Sequence, residues 1–370
     1  MKVPGQDLEA HHKMIRKDLE AAAIRVIASG RYILGPEVAA FEEEAAAALG
    51  VAHAIGVSSG TDALLVLLMA LDVGPGDEVV TTPFSFFATA GAIARLGARP
   101  VFADIEPDTM NLDPAAAAAR IGPRTKVVMT VHLFGRVART AGLVEACAAA
   151  GVPLIEDAAQ AIGARGGGSA TGARVGTLGT GAALSFFPSK NLGGFGDAGM
   201  VMVNDPALDR KVRVLRAHGA AAKYHHLMVG GNFRIDEMQA ALLRVKLPHL
   251  SRWSALRRMA ANRYRKALAD LPVGVPPDDP GCVWNQFVIR VDGGRRDPLA
   301  AALAADGIAT AVYYPEPLSL QPCFAGLGHK PGDFPQAERA CAEALALPIY
   351  PELAAESIDA ACGSIARFFG

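Results

Sequence analysis

The chain has 370 residues, 51% of them of hydrophobic type, and its 36 Lys+Arg against 37 Asp+Glu leave a formal net charge of −1. That balance provides no basic stripe for nucleic acid and no polybasic run for an anionic membrane, and the chain is too apolar for a disordered one. So little net charge also does little to keep copies of the chain apart.

The length suits two domains, or one large domain with an appendage. The longest apolar run, 63–71, is about half the ~20 residues that cross a bilayer. The opening MKVPGQDLEAHHK has no apolar stretch of the secretory kind, so a cytoplasmic location is expected. The five cysteines, at 147, 282, 323, 341 and 362, show no CxxC or Cys/His ligand spacing, which predicts reduced thiols and no metal site.

In chain order, AHAIGV at 52–57 reads as a strand and 59–73 as a helix, with GPGD at 74–77 as a turn. EVVTTP at 78–83 is a strand and 85–96 a helix. Further strands are PVFADI at 100–105, KVVMTV at 126–131, VPLIED at 152–157, ALSFF at 183–187 and GMVMV at 199–203, with helices at 113–120 and 140–150. Nearly all-apolar strands alternating with helices predict an α/β fold whose mostly parallel sheet is covered on both faces. From Asp205 helices dominate to about Arg265, and a Pro/Gly-rich break follows at 272–282. Beyond it, strand-like WNQFVIRV at 284–291, a helix at 298–306, strand-like IATAVYY at 308–314 and two Ala-rich helices predict a smaller α+β domain. The boundary is placed near 250, giving domains 1–250 and 251–370.

Three segments could carry chemistry. Ser58-Ser59-Gly60-Thr61-Asp62 joins a strand to a helix, where free backbone N–H groups and the helix dipole suit a phosphate. Taken alone it reads more simply as a capping box, Ser59 to Asp62. Asp157-Ala158-Ala159-Gln160 follows an apolar strand, so Asp157 would face the crevice where α/β folds bind ligands. Ionised there, it could hold a cationic ring nitrogen, but D-x-x-Q is again a capping spacing. Lys190, in SFFPSKNLGG at 185–194, closes a short loop after a strand, and a partly desolvated lysine becomes a nucleophilic amine. Most loop lysines are merely solvated.

Other motifs weigh less. Gly194-Phe195-Gly196-Asp197-Ala198-Gly199 matches GxGxxG but precedes a strand instead of a helix. The pairs His11-His12 and His225-His226 lack ligand partners at metal spacing and read as surface or packing residues. No P-loop and no GxSxG elbow occurs.

The order of the three segments is more telling than any one of them. A phosphate-type helix start, then a strand-end carboxylate, then a loop lysine is the equipment for pyridoxal phosphate. At these residues the chain resembles the DegT/DnrJ/EryC1/StrS family of sugar aminotransferases, fold-type I pyridoxal phosphate enzymes. The resemblance runs through GRYILGPEV, SSGTDAL, GPGDEVVTTPFSFFATA, IEDAAQAIGA, SFFPSKNLGGFGDAG, GGNFRIDEMQAALLRVKL, FPQAE and LALPIYPEL, nearly the whole chain. It is nearest to enzymes that aminate 3-keto nucleotide sugars, dTDP- or UDP-linked.

The resemblance implies a large α/β/α domain, a smaller α+β domain, and a role for each residue. Gly60, Thr61 and Ser185 would bind the phosphate, Phe86 would stack on the pyridine ring, Asp157 would pair with its nitrogen and Gln160 with its hydroxyl. Lys190 would form the Schiff base and move the proton, through pyridoxamine phosphate as the second cofactor form. Asn232 would reach the phosphate of a neighbouring subunit, making a homodimer with shared sites, and Arg234 would help bind donor or sugar nucleotide. Tyr313-Tyr314-Pro315 stands where many members have His-Tyr-Pro, so the sugar-facing position is Tyr313. Members that are dehydratases carry His in place of the lysine, so Lys190 favours transamination, with L-glutamate as the expected donor. The alternatives are another fold-type I enzyme, acting on a dehydrated sugar or an amino acid, and a regulator that keeps the fold without turnover.

Overall fold

A computed structural model describes residues 2–166 and 172–370. Its main sheet has seven strands: β1 (His53–Val57), β2 (Glu78–Thr81), β3 (Arg99–Phe102), β4 (Thr125–Val131), β5 (Leu154–Asp157), β6 (Gly181–Ser185) and β7 (Gly199–Val203), in the order β1-β7-β6-β5-β4-β2-β3. Only β7 runs against its neighbours, so the sheet is mostly parallel, as expected. Period-2 alternation serves both faces. Met200 and Met202 of β7 face one core, with Phe41, Leu243 and Val26, while Val201 and Val203 face another, with Leu67, Ile93 and Val212.

The helices before and between these strands are α1 (Leu8–Lys13), α2 (Arg16–Ser29), α3 (Pro36–Leu49), α4 (Gly60–Ala70), α5 (Ala88–Arg95), α6 (Pro114–Ala118) and α7 (Leu143–Ala150). Local chemistry sets their ends. α3 opens with Pro36 in its first turn and closes on Gly50 at φ 73°, a left-handed position that suits glycine. α8 (Pro206–Arg216) and α9 (Glu237–Lys246) complete the covering layers, and a two-stranded ribbon, β8 (Ala220–Ala222) with β9 (His225–His226), lies between them in sequence.

A second apolar core is built from α10 (Leu250–Ala267), β10 (Phe287–Arg290), α11 (Arg296–Ala305), β11 (Ala344–Leu347) and α13 (Ala355–Phe369), with α12 (Pro335–Glu343) beside it. β10 and β11 pair antiparallel. Val3, 2% exposed, belongs to this core although it lies at the other end of the sequence. A cluster of Phe84, Phe102 and Phe134 with Phe324, Phe334 and Val288 joins the two regions.

Two sequence expectations are corrected. The helix expected at 85–96 begins only at Ala88, leaving Ser85, Phe86 and Phe87 in a turn that faces the carboxyl ends of the strands. The segment 308–314 is not a strand. Ile308 bridges Val3 and Ala311 bridges Ala346, one residue each, so no continuous ladder forms. Among the described residues all five cysteines are free, no His/Cys/Asp/Glu cluster could hold a metal, and no helix is long and apolar enough to cross a membrane.

Candidate active site

The ends of β5 and β6 and the start of α4 open on one cavity of about 390 Å³. Gly60, Thr61, Phe86, Asp157, Gln160 and Ser185 line it, as do Lys190, Tyr313 and Tyr314. Nine of the eleven residues singled out in the sequence therefore meet there. Asn232 and Arg234 do not.

At one end of the cavity α4 begins at Gly60. The Ser59 hydroxyl accepts from the Asp62 N–H at 3.0 Å, so the capping reading is correct as local structure. It does not exhaust the segment, because Gly60 and Thr61 line the cavity end and the N–H groups of a helix's first turn have no partner inside the helix. A side chain at Gly60 would place its Cβ 2.6 Å from the Ser185 Cβ, so only glycine lets this helix start approach the Ser185 hydroxyl. Two backbone donors and a hydroxyl at a positive helix end suit a phosphate.

Asp157, the last residue of β5, is 4% exposed. Its Oδ2 accepts from the Thr89 hydroxyl at 2.7 Å, and Oδ1 accepts from the Ala159 N–H at 3.2 Å. Thr89 Oγ1 lies 2.8 Å from Ser85 Oγ, so Ser85, Thr89 and Asp157 form a buried chain. Burial pushes the Asp157 carboxyl above the usual range, against the opposing pull of Thr89, the Ala159 N–H, Lys190 and His132. A cationic ring nitrogen beside it would restore its charge, and it would in turn hold that nitrogen protonated. No helix follows β5, so the capping reading of D-x-x-Q fails here.

Beneath Asp157, Glu156 is fully buried and satisfied. It accepts from His132 Nε2 at 2.9 Å and from the backbone N–H groups of Gly176, Leu178 and Gly179. His132 Nδ1 accepts from the Ala138 N–H, so Nε2 carries a proton and donates. The end of β5 is therefore anchored from behind.

Gln160 is held at both ends of its amide. Its Oε1 accepts from the Phe134 N–H at 2.6 Å and its Nε2 donates to the Tyr314 hydroxyl at 3.2 Å. Lys190 sits in the turn after β6, its N–H donating to the Phe187 carbonyl at 2.8 Å. Burial lowers its amine to a pKa of about 8, partly offset by the Asp157 charge. A useful fraction of free amine is thus present near neutral pH.

Phe86 is 59% exposed at the cavity rim, its ring centroid 6.5 Å from that of Tyr314. Asn232 is exposed and Arg234 half-buried. Arg234 Nε donates to Asn232 Oδ1 at 2.8 Å, and Arg234 bridges Val57 at the end of β1, outside the cavity of its own chain. Sequence reasoning missed Ser85, Thr89 and Gln286. The first two lie within the PFSFFAT motif at 83–89, four residues apart, which is the signal available. Gln286 lines the cavity from the strand-like stretch that reads simply as core.

The donor set fits pyridoxal phosphate: a helix start with a hydroxyl for the phosphate, a buried carboxylate for the ring nitrogen and a low-pKa amine for the aldehyde. The volume lies within the range of small-molecule sites.

The model of the DegT/DnrJ/EryC1/StrS aminotransferase family matches residues 13–366. The chain is 47% identical to a "pleiotropic regulatory protein" of Geobacillus stearothermophilus, covering 100% of this chain and 99% of that one. It is 42% identical to a UDP-N-acetyl-3-dehydro-alpha-D-glucosamine 3-aminotransferase of Acidithiobacillus ferrooxidans, over 96% and 95% of the two chains. Among solved structures it superposes on S. venezuelae DesV in complex with a ketimine intermediate, with a TM-score of 0.95 and 42% identity, covering 99% and 98% of the two chains. The chain belongs to the DegT/DnrJ/EryC1/StrS aminotransferase family, and its chemistry is amino transfer on pyridoxal phosphate.

Proposed function

We propose that this enzyme moves an amino group from an amino-acid donor, L-glutamate, to the C3 keto carbon of a sugar linked to a nucleoside diphosphate. The observation that carries the reading is the meeting of Asp157 and Lys190 in one cavity with the start of α4. Pyridoxal phosphate, when bound, supplies an aldehyde for the donor's nitrogen and an electron sink for the bond that ionises. The chain's own residues do the rest. The N–H groups of Gly60 and Thr61 and the Ser185 hydroxyl bind the phosphate. Phe86 covers the ring, and the Gln160 amide, oriented by Phe134 and Tyr314, holds the ring hydroxyl. Asp157 keeps the ring nitrogen protonated. The Lys190 amine takes a proton from the donor's α-carbon, and in the second half-reaction delivers one to the sugar's C3.

The reading divides the chain near 250, with 1–250 holding the cofactor and 251–370 contributing the substrate wall through Tyr313, Tyr314 and Gln286. It includes a homodimer in which Asn232 and Arg234 complete the site of the second copy. Their position outside their own chain's cavity supports this, as do the exposed apolar side chains Tyr32, Ile33, Phe187 and Phe195. Free thiols throughout favour a cytoplasmic location.

The test is amino transfer from glutamate to a panel of 3-keto and 4-keto sugars on dTDP and UDP, read by product mass. A 3-amino product from one of them supports the reading. Turnover of 4-keto sugars alone, or of none, overturns it. The name of the Geobacillus relative keeps a regulatory reading alive. A purified protein that stays colourless with added pyridoxal phosphate would favour it.

A further inference from the structure

Lys246, at the end of α9, is 1% exposed, and among the described residues no carboxylate pairs with it. Its ammonium donates to the Gly193 carbonyl and to His12 Nε2 at 3.0 Å. The rings of Phe195 and Trp253 lie 5.5 and 5.9 Å from it. Glu352, which lies against His11, opposes the burial with its charge, but burying an ammonium without a directly bonded counter-ion is costly. Burial lowers its pKa to about 8, so the cation is the major form at neutral pH. His12 is suited to accept from it, because burial, with Lys246 and His11 adding to it, lowers the ring to about 4 and keeps it neutral.

The carbonyl that Lys246 holds belongs to the loop that carries Lys190. That loop is compact. Gly194 N–H donates to the Phe186 carbonyl at 2.7 Å, and a Cβ at Gly193 would lie 2.1 Å from the Pro188 carbonyl oxygen. The other side of the loop is held from the N-terminal segment, where Gln6 Nε2 donates to the Ser189 carbonyl at 2.7 Å. Ser189 immediately precedes Lys190, and Gly193 follows three residues later. The same segment is fastened beyond the loop. Val3 exchanges backbone hydrogen bonds with Gly307 and Ala309, and His11 Nδ1 lies 3.0 Å from Glu352.

We propose that Gln6 and Lys246 are positioning residues for Lys190. The N-terminal segment, running from Val3 in the second core to His12 beneath Lys246, is a strap that fixes the lysine loop from both sides. Neither residue touches the cavity that holds the cofactor. Gln6 fixes the carbonyl next to Lys190 and Lys246 the one three residues beyond it in the same loop, so that the Lys190 amine meets the aldehyde and the substrate carbon in one geometry. The inference rests on the reading of Lys190 as the cofactor lysine.

The test uses the full chain with Gln6→Glu, Gln6→Met and Lys246→Met. The Gln6 variants keep the side-chain length but lose the donor, so a pure packing role leaves them at wild-type behaviour. Apoprotein is mixed with pyridoxal phosphate, and the visible band is followed in time and with pH. Borohydride reduction and peptide mapping then locate the bound cofactor. Label on Lys190 in every variant, with the rate of capture slower on the order of tenfold, is the expected result. The pH midpoint of the band moves, and kcat falls by a similar factor while KM changes less than about twofold. Wild-type capture rate, midpoint and kcat in the Gln6 variants overturn the strap and leave the function standing. Label on another lysine in the wild type overturns both. If Lys246→Met does not fold, the Gln6 variants decide alone.

Discussion

The two walls of the cavity are built by opposite means. On the sheet side, Asp157 stands at the end of β5 and Lys190 in the turn after its neighbour β6, and each is fixed by hydrogen bonds that run several residues deep. On the other side, Tyr313 and Tyr314 come from irregular backbone whose stretch touches its neighbours through single bridges, and Gln286 is the residue before β10. Tyr313 is half-buried, and the Gln286 Oε1 is buried without a partner among the described residues. The free polar atoms of the first wall, the Lys190 amine and the first-turn N–H groups of α4 among them, are those the cofactor would take up. The second wall has a polar atom waiting. Chemistry that must be the same in every turnover sits on the rigid wall, and selection among sugars sits on the one that can change without disturbing the sheet.

The sharpest way to break this contrast is at Lys190. Lys190→Ala lowers turnover by 10²-fold or more, on the scale of a lost proton-transfer group, while pyridoxal phosphate still binds without covalent attachment. Near-normal turnover would remove the reactive role from the rigid wall. The wild type offers a pH version of the same test. Covalent capture of the aldehyde needs the free amine, so its rate rises with pH and levels off near 8, the value set by burial, instead of near the 10.5 of an ordinary lysine. Competitive labelling of the apoprotein across pH measures it. Asp157→Asn ranks next. It keeps the shape and the Ala159 contact but cannot hold the ring nitrogen charged, and a loss of about 10²–10³-fold in kcat with cofactor still bound is expected.

The sheet wall is largely legible from local pattern, whereas on the irregular wall Tyr313 and Tyr314 are reached only through the family resemblance and Gln286 not at all. A short apolar run ending in Asp or followed by a turn and Lys carries its meaning locally. Strand position fixes where the next polar residue points, and Asp157 and Lys190 stand where that pattern places them. The Thr89 to Asp157 contact spans 68 residues and the Gln6 to Ser189 contact 183, and no local periodicity reports such pairs. Lys246 reads as an ordinary charged residue at a helix end, and only its burial gives it away. The stretch 308–314 has strand composition, yet its two bridges go to different partners, so its apolar pattern misreports its structure.

Thr89 tests how far the rigid wall extends behind its reactive groups. Its hydrogen bond pulls the Asp157 carboxyl down against burial. Thr89→Val preserves shape and removes that donor, so the carboxyl ionises less readily. A loss of roughly tenfold in kcat, from one missing charge-assisted hydrogen bond, should come with an acid limb displaced to higher pH. An unshifted limb would mean that Thr89 only fills space.

The smallest effect is expected at Tyr313, and it bears most directly on the contrast. If Tyr313 faces the sugar, Tyr313→Phe loses at most one neutral hydrogen bond, about 0.5–1.5 kcal/mol, or roughly two- to tenfold in KM for the keto sugar. The half-reaction with glutamate, measured alone in single turnover, should keep its rate, because Asp157, Gln160 and Lys190 are untouched. Tyr314→Phe is the control from the next residue. Its hydroxyl accepts from Gln160, so its loss frees the amide that faces the ring and slows both half-reactions. If Tyr313→Phe also slows the glutamate half-reaction, the division between the walls fails at that residue. If it shifts only which sugars are accepted, the irregular backbone of 308–314 is the place where this chain can change its substrate at little cost to its chemistry.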